Sequence, residues 1–235
     1  MNTAIVLAAG KGSRMEAGIN KQYINLKGRP ILSHTLEVFF ACPAIDEIVL
    51  VIGEDDIELC DKMLQENPNY NKPLKTVIGG KERQHSVLNG LNHVDSNADI
   101  VIIHDGARPF ITTEIIEKCI EGAHDYKAVS LGVPIKETVK VVDEESFVKN
   151  TPNRESIWIT QTPQAFSRDL IRQAHEMALV KNIKATDDAM LVEDLGYPVR
   201  MIKGDYRNIK ITTYEDLAIA ETIMNREKTL NQMEE

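Results

Sequence analysis

Residues able to do chemistry cluster in a few short segments of the chain. The first is Leu7-Ala8-Ala9-Gly10-Lys11-Gly12-Ser13-Arg14-Met15, with Lys21-Gln22 close behind. Its glycines would let backbone N–H groups approach a phosphate, and Lys11, Arg14 and Lys21 would add positive charge. Two standard phosphate loops do not fit. A Walker A loop needs glycine at position 5, which is Ile5. A dinucleotide fingerprint needs glycine at position 15, which is Met15. What remains is either an unusual cationic glycine loop or a plain strand-to-helix turn with solvated charges.

The second segment is His104-Asp105-Gly106-Ala107-Arg108-Pro109, directly after an apolar run. An aspartate at the carboxyl end of a buried strand could hold a divalent cation, because Mg²⁺ favours one or two carboxylates plus phosphate oxygens and water. It could equally cap the next turn through its side chain. The third segment, Gly79-Gly80-Lys81-Glu82-Arg83-Gln84-His85-Ser86, could present backbone N–H groups to a base or phosphate, or could be a strand-to-helix turn. Thr151-Pro152-Asn153-Arg154, Gln161-Thr162-Pro163-Gln164 and Tyr206-Arg207-Asn208-Ile209-Lys210-Ile211-Thr212 carry isolated cations and hydroxyls, which are most often surface groups. The histidines at 34, 85, 93, 104, 124 and 175 have no zinc-ligand spacing, and Cys42, Cys60 and Cys119 form no C-x-x-C pair.

These segments need elements to position them. Short apolar runs at 4–9, 48–52, 76–78 and 100–103 read as strands, and helical spacing marks 30–40, 55–65, 84–94 and 113–124. Apolar runs without alternation suit strands covered on both faces. This β-α-β-α succession predicts an α/β fold with a mainly parallel sheet. The rhythm then changes. A strand at 128–133 precedes two short strands, 138–142 and 146–149, joined by the acidic turn Asp143-Glu144-Glu145. No helix separates them, so they form a hairpin. Alone such a hairpin is marginally stable, so it is expected to pack on something else, such as a second subunit. Strands at 157–162, 199–202 and 209–212 and helices at 167–179, 187–195 and 214–224 complete the pattern, with a fraying polar tail to Glu235. One domain over 1–235 with an inserted arm near 134–152 is the simplest organisation.

Composition bounds the function. The 235 residues hold 27 Lys+Arg against 36 Asp+Glu, a formal charge of −9. That argues against nonspecific nucleic-acid binding and against an anionic membrane surface. It leaves room for a small polyanion held by a few local cations. No run approaches the ~18 apolar residues of a membrane span, and the first residues do not read as a secretion signal. A reducing, cytoplasmic location is the expectation.

Taken together, these ordered motifs resemble the 2-C-methyl-D-erythritol 4-phosphate cytidylyltransferase family. The resemblance rests on the 7–15 loop, Lys21-Gln22, 104–109, Thr162-Pro163-Gln164 and Asn208-Ile209-Lys210-Ile211-Thr212, and spans about residues 3 to 225. It implies a Rossmann-like nucleotidyltransferase fold, a mixed, mainly parallel sheet flanked by helices, with a protruding β-hairpin arm that reaches into a dimer partner. It implies transfer of CMP from CTP to 2-C-methyl-D-erythritol 4-phosphate, with Mg²⁺ or another divalent cation, and a homodimer. By resemblance, Ala8, Ala9, Gly10, Gly12, Arg14, Lys21, Gly80, Ser86 and Ala107 bind CTP. Asp105, Arg108, Thr138, Arg154, Thr162 and Lys210 bind the sugar phosphate, with Thr138 supplied by the other subunit. Arg14, Lys21, Arg154 and Lys210 are the implied catalytic residues, and Asp105 the implied metal-contacting residue. Lys81 departs from the family pattern, where an acidic residue is frequent.

A ribitol 5-phosphate cytidylyltransferase would share the scaffold, although Thr186-Asp187-Asp188-Ala189 looks more like the methylerythritol enzymes. A nicotinamide-dependent oxidoreductase is disfavoured by Met15, and a non-catalytic nucleotide-binding module would release no pyrophosphate. The implied site should therefore gather Lys11, Arg14, Lys21, Arg108, Arg154 and Lys210 into one electropositive region of an acidic protein.

Overall fold

The computed structural model describes residues 1–10, 20–67 and 70–234, with side chains to 226. The strands are β1 (Asn2–Ala8), β2 (Asn25–Leu26), β3 (Arg29–Pro30), β4 (Glu47–Ile52), β5 (Leu74–Ile78), β6 (Ile100–Asp105), β7 (Ala128–Pro134), β8 (Val141–Val142), β9 (Val148–Asn150), β10 (Trp158–Ser167) and β11 (Arg200–Lys203). The helices are α1 (Ile31–Ala41), α2 (Ile57–Gln65), α3 (Arg83–Leu91), α4 (Thr113–Tyr126), α5 (Arg168–Lys181), α6 (Asp188–Asp194) and α7 (Tyr214–Glu234). Seven strands form one sheet in the order β11-β7-β10-β6-β1-β4-β5. β10 runs antiparallel to both its neighbours, β6 and β7, while the other pairings are parallel.

Burial on both faces explains the continuous apolar runs. Along β1, Ala4, Val6 and Ala8 join one core, and Ile5 joins the other. β4 divides the same way, with Ile48, Leu50 and Ile52 on one face and Val49 and Val51 on the opposite face. Phe39 of α1, Cys60 of α2 and Ile116 of α4 cover the first face. Val87 of α3, Ile171 of α5 and Val192 of α6 cover the second. Each such large apolar side chain contributes roughly 1.5–3 kcal/mol by leaving water. All three cysteines are free and buried, so they serve as small apolar fillers.

Local signals fix several boundaries. Pro30 stands just before α1, where its missing N–H costs nothing. The Thr112 side chain caps α4 by accepting from the Ile115 N–H, and Asp187 caps α6 by accepting from the Met190 N–H. Asn182 ends α5 with φ 53°, a left-handed conformation that asparagine tolerates.

The structure corrects some expectations. Residues 209–212 are not a strand. Their one backbone tie to the neighbouring loop is the Ile211 N–H to the Ala107 carbonyl, 2.9 Å, while the Ile211 side chain is buried against Leu26 and Ile31. The segment crosses the end of β6 and does not extend the sheet. β10 continues to Ser167, with a register shift between Thr160 and Gln164 that includes the cis Thr162–Pro163 bond. The last helix is longer than the expected 214–224, since α7 runs to Glu234. The arm is a hairpin, but its strands are only Val141–Val142 and Val148–Asn150. Its turn is tied by the Asp143 carboxylate, which accepts from the Phe147 and Glu145 N–H groups at 2.9 and 3.1 Å. No helix is long and apolar enough to cross a membrane among the described residues.

Candidate active site

The strand order doubles back at β1, whose neighbours are β4 on one side and β6 on the other. In open α/β sheets, ligands bind outside the carboxyl ends of the strands at such a reversal. The carboxyl ends of β1 and β6 here are Ala8 and Asp105. A cleft of about 490 Å³ opens there, lined by Ala9, Gly10, Lys21, Gly80, Lys81, Arg83, Ser86, Asp105, Ala107 and Lys210 among others. A second cleft of about 280 Å³ adjoins it, lined by Arg83, Asp105, Arg108, Gln161, Thr162, Gln164, Asp187 and Lys210 among others. The two share Arg83, Asp105 and Lys210. A larger depression of about 780 Å³ lies at the other end of the sheet around Asp99, Lys127 and Arg168. It is remote from every segment singled out for chemistry.

Asp105 is the hub of the shared wall. Lys210 Nζ lies 2.9 Å from Oδ2, Arg108 Nε 3.4 Å from Oδ2 and Arg83 Nε 3.6 Å from Oδ1. Burial alone would raise the Asp105 pKa, but Lys210, Arg83 and Arg108 outweigh it and hold the carboxyl well below the usual range. Three cations thus meet at one carboxylate, although Arg83 is shared with Asp188. The same crowding speaks against Asp105 as a direct Mg²⁺ ligand, since a metal would have to displace Lys210 or Arg108. No group of three His, Cys, Asp or Glu side chains that could hold a metal occurs among the described residues.

Three hydrogen bonds align the end of β6. The Thr162 hydroxyl accepts from the Asp105 N–H at 3.0 Å and contacts His104 Nδ1 at 3.2 Å. His104 Nε2 reaches the Arg108 carbonyl at 3.2 Å. One proton arrangement satisfies all three. Nε2–H donates to the carbonyl, and Nδ1 accepts from the threonine hydroxyl. The imidazole is thereby neutral, and burial pushes its pKa down to about 4. The fully buried Asn208 locks the crossing segment by donating to the Thr162 carbonyl at 2.9 Å. Its own carbonyl accepts from Arg108 at 2.9 Å.

The glycine turn at 79–80 has its own packing reason. A Cβ at Gly79 would meet Ser86 Oγ at 2.9 Å and would crowd Ala9 still more closely. The Ser86 hydroxyl accepts from the Gly80 N–H at 3.0 Å, which holds the turn over the start of α3.

Among the sequence-derived site residues, Ala9, Gly10, Lys21, Gly80, Ser86, Ala107, Asp105 and Lys210 line the first cleft, and Arg108 and Thr162 line the second. Ala8 is buried directly behind Ala9. Lys11, Gly12 and Arg14 lie outside the described residues. Thr138 and Arg154 are exposed and line neither cleft. Of the six cations expected in one site, Lys21, Arg108 and Lys210 line the two clefts, Lys11 and Arg14 lie outside the described residues, and Arg154 stands apart on the turn that follows the arm.

The sequence reading missed Arg83. It bridges Asp105 and the buried Asp188, whose Oδ2 lies 2.8 Å from the guanidinium. Asp188 Oδ1 in turn meets His175 Nε2 at 3.1 Å. Gln164 was also missed as an organiser. It accepts from the Asp188 and Ala189 N–H groups and donates to Ser130 and Asp187. Arg83 and Asp188 fell inside segments already singled out, so position was a usable signal. Nothing in the sequence pointed to His175.

The family model for 2-C-methyl-D-erythritol 4-phosphate cytidylyltransferase matches residues 2–226. The chain belongs to the 2-C-methyl-D-erythritol 4-phosphate cytidylyltransferase family. It is therefore a cytidylyltransferase, one kind of nucleotidyltransferase. The family enzyme of Caldanaerobacter subterraneus subsp. tengcongensis is 45% identical over 224 residues, covering 95% of this chain and 99% of the relative. That of Clostridium botulinum (strain Langeland) is 48% identical over 225 residues, covering 96% and 98%. The crystal structure of 4-diphosphocytidyl-2C-methyl-D-erythritol synthase from Anaerococcus prevotii superposes with TM-score 0.86 at 36% identity, covering 96% of this chain and 98% of that one. The Thermus thermophilus family structure gives TM-score 0.76 at 29% identity. These matches favour the methylerythritol phosphate cytidylyltransferase reading over the ribitol phosphate and nicotinamide alternatives.

Proposed function

We propose that the chain transfers CMP from CTP to 2-C-methyl-D-erythritol 4-phosphate, releasing pyrophosphate and forming 4-diphosphocytidyl-2-C-methyl-D-erythritol for isoprenoid precursors. The observation that carries the reading is the pair of adjoining clefts meeting at Asp105 and Lys210. One would take the nucleotide and the other the sugar phosphate, so the α-phosphorus of CTP and the attacking phosphate oxygen face each other across a cationic wall.

The nucleophile explains the absence of a poised base in this reading. A phosphate monoester has a second pKa near ~6 and is already ionised at neutral pH. Its oxygen attacks the α-phosphorus, a new P–O bond forms, and the bond to the bridging oxygen breaks. Pyrophosphate leaves with that electron pair. The obstacle is repulsion between polyanions, so the protein's task is positioning and cationic stabilisation. Lys21, with Arg14, stabilises the crowded charge at the α-phosphorus and the leaving pyrophosphate. Lys210 and Arg108, aimed by Asp105, hold the attacking phosphate in line, with Thr162 fixing Asp105 from behind. Gly10, Gly80, Ser86, Ala9 and Ala107 shape the nucleotide cleft. A divalent cation, when bound, neutralises triphosphate charge, and the nucleotide's own oxygens are its expected ligands because Asp105 is already engaged.

Arg154 and Thr138 complete the reading at a dimer interface. The arm exposes Val141, Val142, Phe147 and Val148 at 43, 50, 68 and 57%. Apolar surface of that extent on a slender hairpin suits burial against a second copy, which would bring Thr138 to the partner's acceptor cleft.

A pyrophosphate-release assay with CTP, Mg²⁺ and the methylerythritol phosphate tests the reading, with ribitol 5-phosphate run beside it. Turnover with the first acceptor and little with the second is expected. Faster turnover of ribitol 5-phosphate would overturn the acceptor assignment, and no pyrophosphate from either would overturn the activity. Lys21→Ala should cut turnover by about 10²–10³-fold while leaving the fold intact. Arg154→Ala should impair use of the sugar phosphate and spare CTP binding, as read by calorimetric titration of each ligand.

A further inference from the structure

Asp56 stands at the start of α2, where an aspartate ordinarily accepts a hydrogen bond from the helix's own first turn. It makes no such bond. Its side chain is buried, with 3% of the residue exposed, and is turned away from α2 toward the 20–22 turn. Asn20 Nδ2 lies 2.7 Å from each carboxylate oxygen. Gln22 Nε2 lies 3.5 Å from Oδ2 and also donates to the Ala8 carbonyl at the end of β1. Gly53 leaves room for this orientation, since a Cβ there would lie 2.8 Å from Asp56 Oδ2. Burying a carboxylate is unfavourable, and burial pushes the Asp56 pKa above its ordinary value despite the Asn20 bonds. The carboxylate thus leaves the first turn of α2 uncapped and, beside a bond from the Gly53 backbone of its own turn, serves a tertiary link to residues 20 and 22.

Lys21 is the residue between the two side chains so held, and it lines the first cleft. We propose that Asp56 is a positioning residue for CMP transfer, clamping the Asn20-Lys21-Gln22 turn to the start of α2 beside the tie that Gln22 makes to the end of β1, and so fixing where Lys21 meets the nucleotide phosphates. The inference rests on the role given to Lys21 under Proposed function. Asp56 lies outside the glycine-rich and strand-end segments that carry the rest of the site, and it acts only through its neighbours. A displacement of about 1 Å in a group that must meet a transition state can cost ~10²-fold in rate. Loss of the clamp should therefore appear in kcat and much less in KM.

The test is a double-mutant cycle on turnover with wild type, Asp56→Ala, Lys21→Ala and the double variant. Asp56→Ala should lower kcat by roughly 10–100-fold, with both KM values little changed. In the Lys21→Ala background the same substitution should add no further loss, because the group it positions is gone. Asp56→Asn, which keeps one acceptor oxygen for Asn20, should recover part of kcat. Glu47→Gln is the control for simple destabilisation. Glu47 is another buried carboxylate, 2.6 Å from Lys75 at the opposite end of the sheet, and its loss should lower Tm without touching kcat. Equal fold losses from Asp56→Ala on both backgrounds would overturn the proposal, as would wild-type kcat in Asp56→Ala. If Asp56→Ala does not fold, Asn20→Ala breaks the same link from the other side and must show the same non-additivity. Retained turnover in Lys21→Ala would overturn the Lys21 reading itself, and this inference with it, an outcome distinct from failure of the cycle alone.

Discussion

Thr162 shows how one hydroxyl can organise several charged residues. It touches the Asp105 N–H and His104 Nδ1, and its own carbonyl accepts from Asn208. Thr162→Val keeps the shape but leaves a buried N–H and a buried imidazole nitrogen unpaired. Each such orphan costs about 1–3 kcal/mol, so urea denaturation should report a loss of that order. Activity should fall as well, since Asp105 sets the aim of Lys210 and Arg108. The threonine itself was legible from sequence as part of Gln161-Thr162-Pro163-Gln164. Its partners were not, because His104 and Asn208 meet it from segments far away in the chain.

At the scale of elements, the arm carries the sharpest expectation. Its turn is tied by Asp143, which holds two backbone N–H groups, and places Ser146 at φ 68°. Its base is fastened by the Tyr206 hydroxyl donating to the Pro134 carbonyl at 2.6 Å, with Lys136 over the Tyr206 ring. The apolar tip is what the chain itself leaves uncovered. With the arm docked on a second copy as proposed, Phe147→Asp should shift sedimentation from dimer to monomer. It should also depress turnover, since Thr138 would no longer reach a second subunit. A monomeric variant with full activity would remove the arm from the mechanism. The hairpin was legible because no helix-length segment separates its two short strands. Its true extent was not, because exposed valines obey no burial pattern.

At the scale of the whole molecule, the buried imidazole of His104 makes stability depend on pH. His104 is buried and neutral, with a pKa of about 4 against 6.5 for the ordinary side chain. A depressed folded pKa means that the unfolded chain takes up the proton first. The stabilisation is thus fully present above about pH 6.5 and declines as pH falls toward 4. The total is on the order of 2–4 kcal/mol. Unfolding free energies between pH 7 and 4 should fall in that window, and the slope should flatten in His104→Asn. Asp105 and Asp188, both held below the ordinary carboxylate range by their cations, add a further loss at lower pH. Chelation of divalent cations should leave the Tm of the ligand-free protein unchanged, since no described cluster would bind a metal. Turnover should cease under the same treatment, if the metal travels with the nucleotide.

The sequence by itself determined the α/β class, the doubly covered sheet and most element positions, because burial on two faces writes itself into uninterrupted runs such as Ile48–Leu50 and Val101–Ile103. It also marked the ligand end of the sheet, because glycine turns and strand-end polar residues are local features. Only the tertiary structure decided which cations share a wall. Lys210, Arg83 and Arg108 converge on Asp105 from three segments, while Arg154, equally prominent in sequence, lies elsewhere. It also showed that residues 209–212 cross the sheet end without joining it, and that Asp56 looks away from its own helix. These are outcomes of packing between distant parts of the chain, and periodicity or spacing carries no record of them.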